Sequence, residues 1–185
     1  MPHAQLRRKR RRGEALVEFT MIGIPLLFLW VSTVEMSRGM WQYHTLQYAT
    51  KIANAYAAIH GATCSSNGNS CTVNVSDIVT QFQNNAIGIP MSSVKLVLVS
   101  KTSTNSVTCT QVSTCSSNGA WSTQWPPTAN GDNAVGNSVE IKTYYTFNTA
   151  LAMFWPGSGS PWSFGSAAGP GKFVFPGYSY ELIQF

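Results

Sequence analysis

From Ala15 to Val34 the chain is mostly apolar, and Glu18 is the only formal charge in the run. At 1.5 Å rise per residue such a run makes a helix of about 30 Å, the thickness of a bilayer core. The pattern changes after Glu35. Trp41, Tyr48, Ile52, Tyr56 and Ile59 recur at helical spacings, and Ala49, Ala53 and Ala57 form a stripe of small residues, so the helix is predicted to run on as a stalk to His60, with Gly61 as its C-cap. Glu35 and Arg38 stand at i and i+3, an intrahelical pair at the end of the apolar run. Pro25 lacks a backbone donor and predicts a kink in mid-span, with Gly23 supplying slack.

Beyond Gly61 the period shortens. "VSDIVTQFQNNAIGIP" reads as a short helix capped by Ser76 or Asp77, with Ile78, Phe82 and Ala86 on one face and Gly88 and Pro90 ending it. "SVKLVLVS" places Val94, Leu96 and Leu98 on one side of a strand, and "SVEIKTYYTF" alternates Val139, Ile141, Thr143, Tyr145 and Phe147 inward; the two are predicted to pair antiparallel. "KFVFPGYSYELIQF" predicts a strand or pair of strands broken at Pro176 and Gly177. Residues 100–138 and 156–171 read as loops, and Phe154, Trp155, Trp162 and Phe164 in or beside the second are expected to pack over the sheet or face a partner. The fold expected is α+β: a long N-terminal helix, membrane-spanning in its first half, packed on a small antiparallel sheet.

The formal net charge of +5 points at first to nucleic acid. Its distribution removes that reading, because half of the 12 Lys and Arg form one block, Arg7 to Arg12. From Gly61 onward Lys95, Lys101, Lys142 and Lys172 balance Asp77, Asp132, Glu140 and Glu181, which leaves no phosphate-binding field. The basic block does predict a cytoplasmic N-terminus for the span, with everything after it across the membrane. Cys64, Cys71, Cys109 and Cys115 all follow the span in Ser/Thr/Asn/Gly-rich surroundings, a pattern that suits an oxidising compartment. Four cysteines allow three connectivities, and the short spacings favour the local pairs Cys64 with Cys71 and Cys109 with Cys115. A zinc site would want C-x-x-C spacing, and His44 and His60 have no ligand-spaced partner, so neither metal nor cofactor is expected. No H-E-x-x-H, G-x-S-x-G, P-loop or dinucleotide fingerprint occurs, so an enzyme is not expected.

Glu18 stands apart from this scheme. A carboxylate in a membrane helix costs about 2.5 kcal/mol or more near the centre and less at the interface, so it demands a use. A cleaved secretory signal does not supply one, since Trp30, Val31, Glu35, Met36 and Arg38 fill the zone where small residues would be needed. Gly13, then Glu14, Ala15, Leu16 and Val17, then Glu18 and Phe19, resembles the G-x-x-x-x-E-F processing motif of type IV pilin-like precursors. More closely, residues 10–60 resemble the TadE-like minor pseudopilins of Tad (Flp-type) pilus systems. The resemblance implies a pilin-like fold and a cut by a prepilin peptidase between Gly13 and Glu14. It assigns Glu18, with Phe19 beside it, to subunit assembly, and names as partners the peptidase, other pilin subunits, the Tad secretion platform and the lipid bilayer. The expected organisation is a basic cytoplasmic leader 1–13, a transmembrane helix 14–36, a stalk 37–60 and an exported, disulfide-bonded domain 61–185. The expected setting is the inner membrane, with passage into a pilus. The alternative from the residues alone is an untrimmed, signal-anchored binding or adhesive module, which has no use for the spacing from Gly13 to Glu18.

Overall fold

The computed structural model describes residues 3–67, 71, 73–101, 106–149 and 172–185, with side chains of the N-terminal helix from Gly13 onward. The basic side chains Arg7 to Arg12 and the aromatic group Phe154, Trp155, Trp162 and Phe164 therefore lie outside the described residues. Helix α1 spans His3–Ala58, helix α2 Val75–Asn85, and four strands follow: β1 Val94–Ser100, β2 Ser106–Cys109, β3 Ser138–Asn148 and β4 Lys172–Leu182. The class is α+β. The chain divides between Arg38 and Gly39 into two compact units, the first part of α1 and the remainder of the chain.

The four strands form one antiparallel sheet in the order β2-β1-β3-β4. Alternation sets the register: Leu98 pairs with Ile141 and Leu96 with Thr143, so the inward residues of β1 and β3 share the face that the helices cover. Antiparallel sheets commonly cover one face and leave the other to solvent. The core is continuous across that face, from Leu46, Ala49, Ala53 and Ala57 of α1 through Ile78, Val79 and Phe82 of α2 to Val94, Leu96, Leu98 and Ile141.

Close approach explains which side of α1 is buried. The aromatic positions Trp41 and Tyr48 point outward, while the alanine stripe, Leu46, Thr50 and Asn54 point inward. Small side chains let the helix settle on the strands, where Thr50 and Thr143 share a hydrogen bond of 2.8 Å. Asn54 Nδ2 donates to the Val139 carbonyl (3.3 Å) and to Ser179 Oγ (3.2 Å). Gly177 belongs to the same seam: a Cβ there would collide with Thr143 Oγ1 and crowd Thr50 Oγ1.

Four expectations need correction. α1 ends at Ala58, and Gly61 is not its cap but a point of close approach, its missing side chain replaced by Phe185 and Ile183. α2 is capped from Asn74 rather than Ser76 or Asp77; Asp77 sits at the third helical position and its carboxylate accepts the Asn74 N–H at 2.9 Å. The stretch 100–138 is not all loop, because Ser106–Cys109 pairs along β1 as β2. Strand β4 runs unbroken through Pro176 and Gly177. It is an edge strand, where a missing N–H costs no ladder bond. Gln47 of α1 serves its free side: Nε2 donates to the Pro176 carbonyl at 2.8 Å and Oε1 accepts the Tyr178 N–H at 3.3 Å.

Candidate processing and assembly segment

Gly13, Glu14, Glu18 and Phe19 all lie within α1, on its exposed surface. A glycine in a helix interior costs about 0.5–1 kcal/mol relative to alanine. At Gly13 nothing among the described residues explains the cost, since an added Cβ would meet no atom within 4 Å. Gly23 is similar: its Cβ would touch only the Phe19 ring, at 3.8 Å. Helix α1 is continuous through Pro25, whose ring removes the donor that the Met21 carbonyl would otherwise receive.

From Gly13 the helix contains a strongly apolar stretch with none of it buried, and it is the one described helix long and apolar enough to cross a membrane. Phe19 is 76% exposed and Leu16 66%. Large apolar side chains surround the axis instead of forming a stripe, which is the pattern of a helix solvated by lipid or by other helices. It suits a single-pass membrane anchor.

The serine and threonine hydroxyls in this stretch are satisfied locally. Thr20 donates to the Val17 carbonyl (2.9 Å), Ser32 to Phe28 (2.7 Å), Thr33 to Leu29 (2.9 Å) and Ser37 to Thr33 (2.8 Å). Such back-bonding hides a hydroxyl from an apolar medium. Glu35 and Arg38 meet at 3.0 Å. Glu18 has no hydrogen bond or ion pair among the described residues.

The other sequence candidates sit apart from this segment. Cys64 is bonded to Cys71 and Cys109 to Cys115, so each disulfide closes a short local loop. Among the described residues no three His, Cys, Asp or Glu side chains gather as a metal site would require. Sequence reasoning does not single out the uncovered sheet face, where a depression of about 770 Å³ is lined by Lys95, Val97, Gln111, Lys142, Tyr144 and Val174. Beside it Glu140 and Lys142 pair at 3.0 Å, and that hydrogen bond holds the Lys142 ammonium above its ordinary pKa. The outward residues of the strand alternation are the available signal for this face.

A protein-family model described as TadE-like protein matches residues 13–53. That match begins at Gly13, contains Glu18 and stops before the four-stranded sheet. No curated protein and no solved structure matches the chain.

Proposed function

We propose, on the support of the TadE-like match over residues 13–53, that this chain is a TadE-like minor pseudopilin of a Tad-type adhesion pilus. It is inserted as a single-pass precursor, with the basic leader in the cytoplasm and the four-stranded domain outside. A prepilin peptidase cuts between Gly13 and Glu14, and the trimmed helix then packs with other pilin or pseudopilin subunits on the Tad platform.

The observation that carries this reading is Glu18, without a partner among the described residues, in an apolar stretch whose serine and threonine hydroxyls bond its own backbone. Trimming creates a partner. The new α-amino group on Glu14, with an ordinary pKa near ~8, is mostly cationic and lies four residues from Glu18 on the same helix. A carboxylate in an apolar medium costs far less with a cation beside it than alone. When helices stack, Glu18 of one subunit pairs with the terminus of its neighbour and fixes their register. Glu14 brings a second carboxylate to that terminus, and Phe19 supplies apolar contact next to the pair. Gly13 supports the same reading, because a helix glycine without a packing role suits recognition by a peptidase. The two disulfides support placement of the domain in an oxidising compartment.

The test separates trimming from assembly. Glu18→Gln keeps the size and removes the charge; it is expected to be trimmed like the wild type yet to fall by about tenfold or more in the sheared pilus fraction, the scale of losing one buried pair. Wild-type incorporation of Glu18→Gln would refute the assembly role.

A further inference from the structure

We propose that the end of the four-stranded domain containing Gly39 rests on the bilayer headgroups, with Trp41 and Ile87 as apolar contacts and Lys95 and Lys172 facing anionic lipid. The proposal builds on the reading of the apolar part of α1 as a membrane anchor.

Contacts within the domain define its two ends. Gly39 lies against the Phe147 and Phe175 rings, where an added Cβ would sit 3.7 Å from each. Thr50 meets Thr143, and Asn54 reaches the Val139 carbonyl. This part of α1 therefore runs antiparallel to β3, and the Gly39 end holds the start of β1, the close of β3 and the start of β4. Helix α2 delivers the following turn to the same end, because Gln42 Nε2 donates to the Gly88 carbonyl at 3.2 Å.

Gly88 fixes how that turn presents its neighbour. Its φ of 77° favours glycine, and the Trp41 ring occupies the place a Cβ would take. Ile87 is consequently turned outward and 69% exposed, beside Trp41 at 52%. An exposed isoleucine next to an exposed tryptophan has the composition of an interfacial contact, since tryptophan places an apolar ring and a polar N–H at the headgroup level.

The acids of the domain are confined to one end of the same axis, where Lys101 and the Glu140-paired Lys142 also lie, while Lys95 and Lys172 stand toward the other. Lys172 pairs in register with Asn148 and Lys95 with Tyr144, both toward the Gly39 end. The domain's acids lie toward the other end: Asp132 accepts from Ser100, Glu181 pairs with Val139, Glu140 adjoins it, and Asp77 starts α2 near Tyr56. An anionic surface thus meets lysines and no described carboxylate of the domain. Chain continuity selects the lipid surface as the occupant. Gly39 directly follows Arg38, whose pair with Glu35 closes the apolar run, so this end stays within a few residues of the bilayer.

The full-length protein in phosphatidylcholine vesicles containing a minority of phosphatidylglycerol provides the test. All four native cysteines are in disulfides, so single nitroxide labels can be placed through Ile24→Cys, Ile87→Cys and Tyr180→Cys. Relative collision rates with oxygen and with a water-soluble nickel chelate then report depth. The label at residue 24 should read as bilayer interior, that at 180 as water, and that at 87 should give an oxygen-to-nickel ratio several-fold above that at 180. Equal ratios at 87 and 180, with 24 deep, would overturn the proposal while leaving the anchor intact. A water-exposed label at 24 would overturn the anchor reading itself. Shielding of residue 87 that vanishes at low protein-to-lipid ratio would identify a second copy as the occupant and also overturn it. Lys95→Glu with Lys172→Glu should lower the ratio at 87, and no change would overturn the electrostatic part.

Discussion

Two stretches of one helix solve opposite problems. From Gly13 to Arg38, α1 presents large apolar side chains in every direction and keeps its hydroxyls bonded to its own backbone. From Gly39 to Ala58 the pattern inverts: apart from Leu46 the buried side is mainly alanine, threonine and asparagine, and large aromatics such as Tyr48 stand outside. Size explains the inversion. Where helix and sheet must approach closely, small residues allow contact and polar ones find strand partners; where lipid or other helices are the solvent, bulk on all sides is favourable. Hydrophobicity alone would rank the first stretch as the core.

The strongest way to break this comparison is to truncate the true core. Phe82→Ala should destabilise the domain by about 3–5 kcal/mol, read as a shifted urea midpoint in near-UV circular dichroism. Leu27→Ala, an equally apolar loss in the exposed stretch, should leave that midpoint unchanged. Next in size is a charge in the apolar stretch: Leu27→Arg should cost about 2.5–3.5 kcal/mol of insertion, seen as a loss of carbonate-resistant membrane association with the domain still folded. Gly177→Ala tests close approach directly. Its Cβ enters the Thr50–Thr143 seam, and about 1–3 kcal/mol of stability should be lost. The smallest effect is expected at Tyr48→Ala, within about 0.5 kcal/mol, because the side chain is mostly solvent-exposed. A large loss there would mean that the aromatic side of the helix carries core packing after all.

Local pattern explains what can be read from sequence. The apolar run, the antiparallel pairing of β1 with β3 and the α2 face of Ile78, Phe82 and Ala86 all follow from periodicity, which neighbouring residues determine. β2 is not legible in this way, because Ser106, Val107, Thr108 and Cys109 lie in a Ser/Thr-rich stretch and only register with β1 makes them a strand. Pro176 reads as a break in β4 because nothing nearby reveals that the strand is an edge or that Gln47, 129 residues away, serves its carbonyl. Asn74 as cap is hidden behind two equally good capping residues. In the candidate processing segment, the spacing of Gly13 and Glu18 is visible in the sequence itself. That a Cβ at Gly13 would meet no atom within 4 Å, and that Glu18 has no partner among the described residues, are facts of three-dimensional placement.

The central claim is that the chain begins its working life at Glu14, and intact mass with N-terminal sequencing of the protein from its native membrane tests it most directly. The account predicts a mature start at Glu14 in the wild type and retention of the leader in Gly13→Ala. An uncut wild-type chain, or one cut beyond the apolar run, would contradict it.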